Sequence, residues 1–122
     1  MWMSSDDLWS ELKYEDVKKA IERGEKKAKT KLAWLMLSGL RGAEKDEDGA
    51  VALLAERVKD GDTDAMWILG ECYVFGLGTE QDLVRAKKLY KQSHDGGNKI
   101  GSFFASHKEN GRGDGYLRIG GL

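Results

Sequence analysis

Cys72 is the only cysteine in this sequence, and His94 and His107 are its only histidines. A thiol beside an imidazole is the smallest set that supports nucleophilic catalysis, because the base removes the proton and the thiolate attacks. The spacing does not favour that chemistry. Cys72 falls on the apolar stripe of a helical segment, where a free thiol behaves as a small hydrophobe. A lone cysteine rules out an internal disulfide or a thiolate cluster, and two histidines are too few for a histidine metal site. No catalytic residue, metal or cofactor is expected.

The remaining reactive patterns are equally weak. Gly76-Leu77-Gly78 has part of the look of a phosphate loop. It lacks a Lys-Ser/Thr ending and follows a helical segment rather than a strand, so turn glycine is the better reading. Glu11, Glu15, Asp16, Glu44, Asp46, Glu47 and Asp48 have neither the alternating oxygens nor the closing Glu of a calcium loop. They read as solvated charge. Arg112-Gly113-Asp114 resembles the integrin-recognition triplet, but a tripeptide matches by chance often and no secretory signal accompanies it.

With no chemistry to position, the elements themselves carry the information. The chain has 122 residues, suited to one domain. Its 20 basic and 21 acidic residues leave a net charge of -1, so no long-range field attracts nucleic acid or anionic lipid. Apolar residues never run for the roughly 18 positions a membrane helix needs. MWMSSDDLWSEL is acidic where a signal peptide is basic, so a cytoplasmic protein is expected. Proline is absent and glycine reaches 16, which makes glycine the punctuation of uninterrupted helices.

Leu8, Trp9, Leu12, Val17, Ala20 and Ile21 recur at helical spacing up to Gly24. A second helix is expected over about Lys26 to Leu37, and a third from Asp46 or Glu47 to Gly61. Asp62 or Asp64 caps a fourth, striped by Ala65, Ile68, Leu69, Cys72 and Tyr73, which Gly76 and Gly78 end. Asp82 opens a fifth with Leu83, Ala86, Leu89 and Tyr90 inward, closed by Gly96-Gly97. A sixth covers about Lys99 to Lys108.

These helices repeat. A shift of 36 residues pairs Gly97 with Gly61, Ala86 with Ala50, Leu89 with Leu53 and Asp82 with Asp46. A shift of 37 pairs Gly61 with Gly24, Ala65 with Ala28, Leu69 with Leu32 and Gly76 with Gly39. The one-residue slip falls in the turn, where insertions are tolerated. A period in the mid-thirties with paired helices is the mark of a helical-hairpin solenoid.

The ordered set Ala65-x3-Leu69-Gly70-x2-Tyr73-x2-Gly76-x-Gly78, then Asp82-x3-Ala86-x2-Leu89-Tyr90 and Gly97, resembles the Sel-one-like repeat family, close to tetratricopeptide repeats. Upstream, Leu32-Ala33 stands for Leu-Gly and Met36 for Tyr, while Gly39 and Gly42 are spaced differently. The resemblance implies an all-α, right-handed α-α superhelix of about six helices in antiparallel hairpins. Residues 1–24 are expected to form an N-terminal cap, 25–61 a first repeat, 62–97 a second, 98–113 a half-repeat and 114–122 a tail. The ending YLRIGGL, straight after a half-repeat, fits a module cut from a longer chain. Some cysteine-rich members of the family are associated with β-lactamase activity; they carry paired cysteines in each repeat, so that activity is not carried over.

The resemblance also implies a protein–protein interaction module, an adaptor or scaffold whose first helices line a concave peptide groove. Counting from Leu69-Gly70, the groove positions are Asp64, Trp67, Glu71, Val74 and Phe75, matched upstream by Thr30, Trp34, Leu37 and Ser38 and downstream by Phe103, His107 and Asn110. Trp34, Leu37, Trp67, Glu71, Val74, Phe75, Phe103 and His107 are the candidate partner-binding residues. Trp34, Trp67 and Phe103 are the expected anchors, with Glu71 and His107 adding polar selectivity. Two other readings stay open: these aromatics cover the core of a short solenoid, or they are buried in a homodimer. A hydrolase built on Cys72 is the remotest alternative.

Overall fold

The computed structural model describes residues 13–39 and 43–109, with His107 to Glu109 placed by backbone alone. Among them are six helices and no strand: α1 (Tyr14–Glu22), α2 (Ala28–Ser38), α3 (Glu47–Lys59), α4 (Thr63–Phe75), α5 (Leu83–Asp95) and α6 (Lys99–Glu109). Each helix packs on the next. The alternate helices α2, α4 and α6 also touch one another along one side, as expected of an all-α solenoid.

Short polar residues start these helices by accepting orphan backbone N–H groups. Asp46 accepts from Gly49 N at 2.9 Å, and Asp82 from Arg85 N at 3.1 Å. Asp62 accepts from Asp64 N at 3.0 Å and Ala65 N at 3.3 Å, and Asn98 does the same for Ile100 N and Gly101 N. Glycines in the left-handed region, Gly39 and Gly76, end α2 and α4.

Both hairpins close with the same backbone bond. Asp46 N donates to Met36 O, and Asp82 N donates to Tyr73 O, each at 2.9 Å. Met36 and Tyr73 are 37 residues apart, whereas Asp46 and Asp82 are 36 apart. The extra residue is absorbed in the first turn, and the bond survives.

The core runs the length of the stack. Ala50, Ala65 and Ala86 are fully buried, and Leu69 and Leu89 lie in the layer between hairpins. Gly70 admits the ring of Tyr90: a Cβ there would stand 2.7 Å from Tyr90 Cε1. The central helix α4 is largely apolar, and Ala65, Trp67 to Cys72 and Val74 are buried, the pattern of a helix with neighbours on most sides.

Candidate functional site

The inner row of α2, α4 and α6 is bound together by ring contacts. Trp34 meets Trp67 edge-on at 5.9 Å between centroids, and Trp67 meets Phe104 at 5.8 Å. Phe104 stacks on Tyr90 at 5.0 Å and takes the edge of Phe103 at 5.3 Å. A continuous aromatic ladder therefore passes through three successive hairpin positions.

The candidate residues differ sharply in exposure. Trp67 is 0% exposed and Trp34 2%; Leu37, Glu71 and Val74 are buried too, and Phe75 is half-buried. Phe103 is 52% exposed. His107 lies in α6, with its side chain outside the described residues, and Asn110 is outside them altogether. Burial of both tryptophans follows from the closeness of the alternate helices, which bring position 67 against position 34 on one side and Phe104 on the other. In this structure the two tryptophans are core side chains, not exposed anchors, and Phe103 is where the ladder reaches solvent.

Polar groups hold the ladder in place. Trp67 Nε1 donates to Asp64 Oδ1 at 3.1 Å, and Asn98 Nδ2 donates to the same oxygen at 2.8 Å. Thr30 Oγ1 donates to Asp62 Oδ2 at 2.7 Å, a buried bond between consecutive hairpins. Arg57, itself buried, donates to Asp60 at 2.7 Å and sits with Nε 3.7 Å from Asp62 Oδ2. Tyr90 OH donates to Glu71 Oε1 at 2.9 Å, which fixes a carboxylate inside the row. Asp62 and Asn98 thus each cap their own helix and reach across to a neighbour.

That double duty was visible in the sequence only as a recurring cap after glycine, Gly61-Asp62 and Gly97-Asn98. Thr30 was read only as a groove position, and Arg57 and Phe104 carried no signal. Thr30 lies 32 residues from Asp62, whereas Arg57 reaches Asp60 and Asp62 just beyond the end of its own helix.

The alternative chemistry is not assembled. Cys72 is fully buried, and burial, followed by the charges of Glu71 and Glu47, pushes its thiol up to about 12. At neutral pH the thiolate that a nucleophile needs is absent. His94 is exposed and pairs with Ser102 Oγ at 2.8 Å. Among the described residues no group of three or more His, Cys, Asp or Glu is placed to hold a metal ion. No described helix is long and apolar enough to cross a membrane. The Arg112-Gly113-Asp114 triplet lies outside the described residues.

Comparison with known proteins agrees with the fold. No curated protein matches the chain. The crystal structure of a Sel1 repeat protein from Oxalobacter formigenes aligns at a TM-score of 0.67 and 28% identity, covering 80% of this chain and 40% of that one. The chain therefore spans well under half the length of that relative. The Sel1 repeat profile matches residues 26–56 and 63–98. Repeats of this kind are generally protein-interaction or scaffold modules and are typically non-catalytic. Two matched repeats, one conserved turn bond in each and a stack of paired helices lead to one conclusion: this chain belongs to the Sel1 repeat family.

Proposed function

We propose that this chain is a non-catalytic protein-interaction module, an adaptor or scaffold, whose inner helix row receives a peptide segment of a partner. Phe103 is the contact anchor, with His107 one turn further along α6. Trp34, Trp67 and Phe104 act from beneath as a rigid floor, while Leu37, Val74 and Phe75 continue the row and Glu71 is held there by Tyr90. The observation that carries this reading is the half-exposure of Phe103 at the end of an otherwise buried aromatic ladder. A preorganised aromatic side chain loses little entropy on binding, which is why such positions dominate interfaces.

Selection of peptides from a displayed random library tests it. Enriched peptides should bind the native protein and lose roughly 1–3 kcal/mol against Phe103→Asp, the range of an interface anchor, while the melting temperature stays unchanged. Peptides that bind both proteins equally would refute the assignment of Phe103.

Self-association is the second reading, favoured by the position of α6. Helices α2 and α4 are each backed by the following helix, whereas α6 is last in the described array and carries the exposed Phe103. Light scattering at two concentrations separates the cases: a strictly monomeric protein at high concentration argues against assembly.

A further inference from the structure

The two matched repeats keep the same packing positions and differ on the side that packing leaves free. A shift of 36 residues sets α3 on α5 and pairs Ala50 with Ala86, Leu54 with Tyr90 and Arg57 with Ser93, each buried. The same shift pairs exposed residues with exposed ones: Asp48 with Val84, Ala52 with Lys88 and Ala55 with Lys91. Helix α3 keeps this outer stripe in solvent although a whole hairpin follows it. The matching stripe of α5 is therefore an outer surface by its place in the repeat, not because the array ends nearby.

The chemistry of the stripe changes between the copies. In α3 it is an acid and two alanines; in α5 it is a valine and lysines, Val84, Lys87, Lys88 and Lys91, at the three- and four-residue spacing that puts them on one face. Arg85 is taken up by Asp82 at 3.5 Å, and Lys91 by Asp95 at 3.0 Å. Among the described residues no carboxylate is paired with Lys87 or Lys88. Glu80 and Asp82 lie ahead of the helix and Asp95 at its end, so the middle of the stripe is cationic only. Lysines one turn apart repel each other, and a partner's carboxylates would relieve that repulsion.

Val84 adds an apolar contact at one end of these charges. At 62% it is the most exposed large apolar side chain among the described residues. From position 84 to 91 the stripe is about 10 Å long, the span of roughly three or four residues of extended chain. A patch this short, on a chain of net charge -1, is too small to gather nucleic acid or a bilayer. A short acidic peptide segment with one aliphatic side chain meets both of its features.

We propose that the outer face of α5 is a second docking surface, distinct from the inner row, for an acidic segment of a protein partner. Its carboxylates lie over Lys87, Lys88 and Lys91, and one aliphatic side chain rests on Val84.

The test is an NMR titration of the full chain at low salt with three acetylated, amidated peptides: Leu-Glu-Glu-Asp-Glu, Ser-Glu-Glu-Asp-Glu and Leu-Lys-Lys-Arg-Lys. The first should shift the Val84 methyl signals and the Lys87 and Lys88 amide signals, and higher salt should weaken it. The second should bind about threefold more weakly, the worth of covering part of one aliphatic side chain. The third should not bind. Exposed charge contacts are individually weak, so the joint variant Lys87→Glu, Lys88→Glu should lose on the order of tenfold in affinity without a fall in melting temperature. Phe103→Asp should leave binding unchanged, which keeps this result separate from the inner-row reading. Equal shifts with the acidic and basic peptides, or an acidic peptide that binds the joint variant as well as the native protein, overturn the proposal. So does tighter binding of a single-stranded oligonucleotide or of anionic vesicles at the same signals, or shifts that follow protein concentration without peptide, which make a second copy the occupant.

Discussion

Replacing Trp67 by Ala is the most direct test of how the scaffold is built. The side chain is completely buried and meets Trp34 at 5.9 Å and Phe104 at 5.8 Å. Removing a fully buried Trp costs about 3–5 kcal/mol, because transfer energy is lost and a cavity remains. A protein of this size has about 5–15 kcal/mol in total. The expected fall in melting temperature is on the order of 10–20 °C. Trp67→Phe keeps one aromatic ring but removes the indole N–H and the volume of the second ring. Asp64 then still accepts from Asn98, so that variant should cost less than Trp67→Ala, about 1–3 kcal/mol. Circular dichroism melts and urea titrations of the three proteins give the comparison. An Ala variant that melts with the native protein would refute the burial of Trp67 in the core, and with it the claim that Trp67 supports the surface rather than forming it.

Three further outcomes follow from particular contacts. Gly78→Ala must place a Cβ against the Glu47 carbonyl at φ +68, whereas Gly61→Ala at φ +86 meets nothing within 4 Å. The second should lose about 1–2 kcal/mol for the left-handed backbone and the first clearly more, and equal urea midpoints would disprove the close approach. Asp62→Ala should cost about 3 kcal/mol, combining a lost cap with a buried Thr30 hydroxyl left without its acceptor. Thr30→Val should cost less, and the double variant should cost less than the sum, which a double-mutant cycle measures. The Cys72 thiol should resist a disulfide-exchange reagent in the folded protein and react on unfolding. Since its folded value of about 12 lies above the ordinary 9.0, its contribution to stability is full below pH 9 and is lost as pH rises toward 12; a urea midpoint rising across that window would contradict it.

The helices, their caps and the repeat were legible because they rest on local rules. Asp82 read as a cap and acts as one; of the pairs Asp46 or Glu47 and Asp62 or Asp64, Asp46 and Asp62 are the caps, and the slip between Gly39–Asp46 and Gly76–Asp82 sits in the turn as expected. The candidate surface was legible only in register. Position 67 was placed in one row with 34 and 103; Trp67 meets Trp34 and Phe104, and the positions of that row do not share one environment. Trp67 is closed in by the helices on either side of it, and Phe103 is half-exposed at the row's end. Counting along a helix gives the side a residue faces, and it leaves open what stands opposite.

Composition, glycine spacing and apolar period were enough to specify an all-α repeat, because each depends on neighbours within a turn or one hairpin. Burial of the tryptophans and the Thr30–Asp62 link depend on residues brought together from distant parts of the chain. Only packed helices create those distances. The same stacking that makes Leu69 and Gly70 recur also decides which aromatics are hidden and which one meets solvent.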